Sequence, residues 1–314
     1  MALLAVSSST DTDCGIPNSL SVSQHGDAVC GTTSVNDGKL HHGAVIVNGS
    51  NYSLYVDGSL QKTGTMTTNT TGNTFYIGAN SGNNFTGLID QVRIYNYART
   101  PAQIAWDYNR GLPIAWYKLD ECQGTTVYSQ NTDFNSALNG TINIGNLGTQ
   151  SSTGTCSDGL STSAWYNGRN GKTNTSLNFD GTDDYISVGT ATSASSVSLW
   201  VKPTSNTANL IQLSTSSAYI SATSGVLSAT GFTSPIIYVN GTPSTILTAG
   251  TWNLITVTSS TPLLVNALKI GLIGSTYYSG QIDEVKLYNY ALTPLQVKDL
   301  FNNGAINFGG TGIP

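Results

Sequence analysis

The chain has 314 residues, of which only 9% are charged, and a formal net charge of −5. Twelve Lys and Arg scattered along that length exclude the clustered basic surface that holds nucleic acid. No run reaches the roughly 18 apolar residues of a membrane helix, and Met1–Val6 is too short and lacks the basic flank of a signal peptide. Hydrophobic residues still make up 39%, enough for a core in about two domains. The four cysteines, Cys14, Cys30, Cys122 and Cys156, contain no C-x-x-C unit. They read as two local disulfides, Cys14–Cys30 and Cys122–Cys156, of the kind found in oxidising compartments.

Short strands and tight turns dominate. Ala44–Val47 is a β-forming run ahead of Asn48-Gly49, and Tyr52–Val56 alternates into Asp57-Gly58, a hairpin signal. Ile89, Val92, Ile94 and Tyr95 predict a strand, followed by a helix with Thr100 as N-cap and Pro101 at its first position, stopping near Gly111. Trp116–Glu121 opens a second series of strands. Asp180, Asp183 and Asp184 surround Gly181 and read as a hairpin turn. Val197–Val201 ends at Pro203, and Ile236–Val239 runs into Asn240-Gly241. A last strand leads to Thr293-Pro294, a second helix start, with Gly304 near its end. Trp200 and Trp252 are expected in the core. Many short strands at regular spacing predict an all-β, antiparallel two-sheet sandwich or jelly roll with one short helix near the end of each half.

The chain repeats itself. Residues 85–111 (FTGLIDQVRIYNYARTPAQIAWDYNRG) and 278–304 (YSGQIDEVKLYNYALTPLQVKDLFNNG) are identical at 13 of 27 positions without a gap. The two copies differ in length. The second opens at Trp116, 162 residues before Tyr278, whereas the first has no counterpart of that opening strand or of Ser176–Val188. The sequence therefore divides into an incomplete domain over 1–111, a complete one over 112–308, and a tail over 309–314. A half-sandwich exposes unpaired edges that something must complete.

The motifs WYKLDE (116–121), NFDGTDDYISV (178–188), SLWVKP (198–203) and GQIDEVKLYNYALT (280–293), taken in order, resemble the laminin G-like jelly-roll domain of the concanavalin A-like superfamily. Residues 20–111 resemble the second half of another copy, with Leu40-His41-His42-Gly43 where the family has Trp-His-His and a branched residue. The resemblance implies a secreted or surface protein that binds a glycan or another protein. It also implies a calcium ion near a sheet edge, for which Asp120, Asn131, Asp133, Asn135 and Asp283 are the candidates, although Ser129 stands where the family has an Asp. The alternative for Asp283 is a turn cap or a pair with Lys286. Glycanases of this fold set glutamates along one strand. The chain's two glutamates, Glu121 and Glu284, fall in different motifs, so no enzyme is expected. The histidines, His25, His41 and His42, read as structural or surface residues. Trp165-Tyr166, in a polar loop, is either buried or a platform for stacking a sugar. The half-domain gives a second expectation: a structural subunit of an extracellular filament or surface layer, in which copies of the chain complete one another.

Overall fold

The computed structural model describes residues 3–6, 18–24, 27–65, 77–80, 83–130, 138–165, 171–191, 193–215 and 217–302. The chain divides into two compact units, Met1–Gly111 and Leu112–Pro314. No helix among the described residues is long and apolar enough to cross a membrane.

The second unit is a two-layer antiparallel sandwich. One sheet runs in the order Thr126–Val127, Gly140–Asn143, Tyr185–Gly189, Leu268–Ile270, Ala208–Ser214, Ala218–Thr223, Val226–Thr230. The other runs Leu177–Asp180, Ser279–Tyr288, Ser193–Pro203, Asn253–Leu264, Ile236–Val239, Thr242–Pro243. Ala115–Tyr117 pairs with the same edge of Ser279–Tyr288 that Leu177–Asp180 uses. Sequential strands often fall in opposite layers, as jelly-roll winding requires. The Asp180–Asp184 turn is one such crossing. It joins Leu177–Asp180 in one sheet to Tyr185–Gly189 in the other, so the hairpin reading of that turn is corrected.

The two-residue period decides what each strand buries. Along Ser193–Pro203, Val197, Leu199 and Val201 point into the core and meet Val257, Ile255, Leu287 and Ile282 on the neighbouring strands. Ser196, Ser198 and Trp200 take the opposite face. That face is buried too, because α2 (Pro294–Phe301) brings Phe301 to 5.8 Å from the Trp200 ring. Trp200 is thus buried as expected, beneath a helix and outside the main core cluster. Trp252 is only half-buried, which corrects its placement in the core. Asn240 and Gly241, both at positive φ, make the tight hairpin that the sequence signals.

Cys122 and Cys156 form a disulfide that closes a 34-residue separation, and Cys156 lies in the core. By loop entropy this bond contributes about 2–4 kcal/mol. Reduction is therefore expected to lower the urea midpoint of the second unit and to steepen the slope, because the freed unfolded chain exposes more surface. An unchanged midpoint would show that the bond does not restrain the unfolded chain.

The first unit has two three-stranded sheets, Leu3–Val6, Ser19–Gln24, Asp27–Ser34 and Gly43–Asn48, Asn51–Val56, Ser59–Thr65. Asp57 and Gly58, both at positive φ, close the expected hairpin. One core cluster there holds Val22, Val29, Tyr52 and Leu54, with Leu20 and Val45 packed against them, and Tyr55, Val56, Ile104 and Ala105 are buried as well. Helix α1 (Pro101–Asn109) has the same capping box as α2, with Thr100 and Gln103 in the roles of Thr293 and Gln296. Its left-handed C-cap is Arg110, one residue before the expected Gly111. Gly304 and Cys14 lie outside the described residues, and Cys30 sits on Asp27–Ser34.

Candidate functional site

One group of converging residues lies in the second unit, around a β-bulge. Between Ser193–Pro203 and Ser279–Tyr288, Ser198 faces Lys286 but Trp200 faces Asp283, so the second strand carries one extra residue. Glu284 absorbs it at φ 51°. The bulge lets Ile282 and Val285, three apart, both enter the core.

Asp283 is fully buried there. Its Oδ2 accepts from Thr173 N at 2.9 Å, and among the described residues its Oδ1 has no partner. Asp120 accepts from Thr175 N at 3.1 Å through Oδ1 and from Asn174 Nδ2 at 3.1 Å through Oδ2. Residues 173–175 thus tie both carboxylates into one patch. Burial, and then the negative charges of Glu284 and Asp120, push the Asp283 carboxyl up to about 8, against the Thr173 hydrogen bond. A hard cation suits such a donor set, because it would satisfy the orphaned oxygen and remove the penalty of burying the charge. Backbone strain gathers at the same place. Leu119, Cys122, Asn174 and Glu284 all hold positive φ, which is unusual outside glycine and costly for a leucine. Asn131, Asp133, Asn135 and Tyr166 lie outside the described residues. Gln130, which precedes Asn131 in sequence, donates its N–H to Trp116 O at 2.8 Å.

The expected pair of Asp283 with Lys286 is corrected: Lys286 binds Glu284 at 2.7 Å instead. Glu284 also accepts from Trp116 Nε1 at 2.8 Å, while Lys118 and Lys286 both lie 4.6 Å from the Trp116 ring. Trp165 offers no sugar platform. Its ring is fully buried in the core, and its Nε1 donates to Gly124 O at 3.1 Å. The exposed aromatic beside the patch is Tyr128, whose N–H donates to Glu121 Oε1 at 2.8 Å. Its outward position follows from the inward Val127 and could have been read from the strand's alternation.

A second acidic group, Asp180, Asp183 and Asp184, brings carboxylate oxygens within 4.8 Å of one another and could hold a metal ion. Much of that capacity is already spent on backbone. Asp180 accepts from Thr149, Gln150 and Thr182 N–H, and Asp183 from Leu147 N. Gly145 and Gly148 let the loop press this close, since a Cβ on either would collide with a carboxylate.

In the first unit, His41 bridges Asp57 (Nδ1, 2.8 Å) and Asp37 (Nε2, 2.9 Å). Burial disfavours its charged form, but the hydrogen bonds that it donates to Asp57 and Asp37 outweigh that and raise its pKa. A raised histidine pKa contributes stability that is complete below about 6.5 and lost as pH climbs through the folded value. Asp57→Asn is therefore expected to move the His41 titration midpoint, followed by NMR, downward. An unmoved midpoint would mean the bridge is absent in solution. Burial lowers the pKa of the neighbouring His42, so its contribution has the opposite sign.

A family model described as the concanavalin A-like lectin/glucanases superfamily, of laminin G type, matches residues 4–105 and 144–298. The chain belongs to this superfamily. As a laminin G-like member it is similar to domain 4 of AbnA, an extracellular arabinanase of Geobacillus stearothermophilus solved with arabinotriose. There the identity is 19% over 60% of this chain and 98% of that one, with a TM-score of 0.38. Trypanosoma rangeli sialidase in complex with DANA is similar at 11% identity, 60% and 32% coverage, and a TM-score of 0.35. The binding domain of botulinum neurotoxin serotype D is similar at 10% identity, 61% and 50% coverage, and a TM-score of 0.35. No curated protein matches the chain.

Proposed function

We propose that this laminin G-like chain is a non-catalytic extracellular or cell-surface protein that recognises a glycan or protein ligand. In this reading calcium sits at Asp283 and Asp120, with Asn131, Asp133 and Asn135 as the further ligands that the sequence offers, and ligand binds beside it near Tyr128. The observation that carries the proposal is the buried Asp283 carboxylate with its unsatisfied oxygen, tied through residues 173–175 to a second carboxylate. Calcium would supply a charge that orients loop oxygens and accepts ligand hydroxyl or carboxylate oxygens. The non-catalytic part rests on Glu284, whose carboxylate is engaged by Lys286 and by Trp116 Nε1. The disulfide and the low charge support a location outside the cell.

The test is binding of the whole chain to glycan and protein arrays with calcium and with chelator. Binding that disappears with chelator, and in Asp283→Asn, is the expected result. Silent arrays with the calcium-loaded protein, or hydrolysis of a glycoside, would overturn the proposal.

A second reading, a structural subunit of an extracellular filament or surface layer, is favoured by one observation. Residues 84–98 of the first unit are almost wholly exposed despite their apolar content. Electron microscopy of the purified chain at rising concentration would show filaments or refute this.

A further inference from the structure

In the second unit, Ser279–Tyr288 is an inner strand of its sheet, with Leu177–Asp180 and Ala115–Tyr117 on one side and Ser193–Pro203 on the other. Ile282, Val285 and Leu287 are completely buried by that arrangement. The matching residues of the first unit are Ile89, Val92 and Ile94, and they are 47%, 50% and 74% exposed. Leu88 reaches 83%. No strand is formed over 85–97, although nearly the same sequence forms one elsewhere in the chain.

The segment nevertheless holds much of the local conformation of its buried twin. Gln91 stands at φ 51°, as does Glu284 in the corresponding bulge position. Arg93 Nη2 donates to Gln91 Oε1 at 3.1 Å, where Lys286 pairs with Glu284. The helix that follows has the same capping box. What differs is the partners. In the second unit they come from the earlier half of the sandwich, namely Leu177–Asp180 and Ser193–Pro203, and the first unit has no counterpart of these in sequence.

We infer that residues 85–97 are a preformed inner strand awaiting its neighbours, and that the partner is a polypeptide with free strands of the Leu-x-Phe-Asp and Ser-x-Ser-Leu-Trp-Val type seen at 177–180 and 196–201. This shares the exposed segment with the assembly reading but stands apart from it, because the partner is not a copy of this chain. The exposed side chains of Phe85, Leu88, Ile89, Val92, Ile94 and Tyr97 together offer an area on the order of the ~800 Å² per partner that stable interfaces bury. Addition of strands gives main-chain hydrogen bonds along the segment, and alternate side chains set the register. A second copy of this chain fits less well, because its own strands of this type are already paired within its second unit.

The probe is a synthetic peptide of residues 174–204, with a scrambled peptide as control, added to the full chain. Hydrogen exchange is read separately over 86–97 and 279–288. One peptide should bind per chain and slow exchange over 86–97 on the order of tenfold or more, leaving 279–288 unchanged. Ile94→Asp should abolish the effect. No protection at saturating peptide would overturn the inference. So would protection that appears without peptide as protein concentration rises, which would assign the segment to a second copy. Absence of filaments with intact peptide binding would sink the assembly reading alone.

Discussion

Asp283→Asn is expected to abolish the stabilisation that calcium gives to the second unit, while leaving the fold intact. The amide keeps an oxygen to accept from Thr173 N but removes the charge that a cation requires. Binding at a hundredfold excess over Kd stabilises the wild type by about 2.7 kcal/mol. For a unit of this size that is a rise in Tm of several degrees. The measurement is thermal unfolding of wild type and variant with calcium and with chelator. A calcium shift that survives in Asp283→Asn but is lost in Asp183→Asn would move the ion to the Asp180–Asp183–Asp184 group. A shift lost in neither would remove both sites.

The same substitution carries a pH signature in the cation-free protein. The folded Asp283 carboxyl titrates at about 8, against about 3.9 in an unfolded chain. Below about pH 4 both states are protonated and the group has no effect on stability. Between about 4 and 8 the unfolded state sheds its proton while the folded state keeps it, so stability falls as pH rises. Asp283→Asn should flatten this slope and make the cation-free unit more stable at about pH 8 than wild type. A parallel pH profile in the two proteins would show that Asp283 is not buried as an acid.

The sandwich was legible because its evidence is local and redundant: alternating runs, Asn-Gly and Asp-Gly turns, and two identical Thr-Pro helix starts. The bulge was legible in principle as well. Ile-Asp-x-Val in both repeats places apolar residues three apart where a regular strand would place them two apart. What sequence did not disclose was burial decided by distant partners. Trp165 lies in a stretch rich in Gly, Ser and Asn, yet it is enclosed beside Cys156 and hydrogen-bonded to Gly124, contacts that no local pattern announces. The three aspartates after Phe179 read as a hairpin, because sequence proximity cannot tell a hairpin from a crossing between layers. Lys286 pairs with Glu284, the bulged residue, while Asp283 accepts from Thr173 N, a partner 110 residues away in sequence.

The repeat also allows one substitution to be made twice in one molecule. Ile282→Ala removes a side chain that is completely buried between the sheets, and it is expected to cost about 2–5 kcal/mol. Ile89→Ala changes the matching residue of the first unit, which is half exposed and has no flanking strand among the described residues, and should alter stability by less than about 0.5 kcal/mol. Urea unfolding followed by fluorescence separates the two, because four of the five tryptophans, Trp116, Trp165, Trp200 and Trp252, report on the second unit and Trp106 on the first. Equal costs at the two positions would mean that residues 85–97 are packed in solution by a partner already present. Addition of the 174–204 peptide should then convert the small effect of Ile89→Ala into a large one, measured as weaker peptide binding. The cost of deleting the isoleucine depends on which strands lie beside it, and in the first unit the described residues supply none.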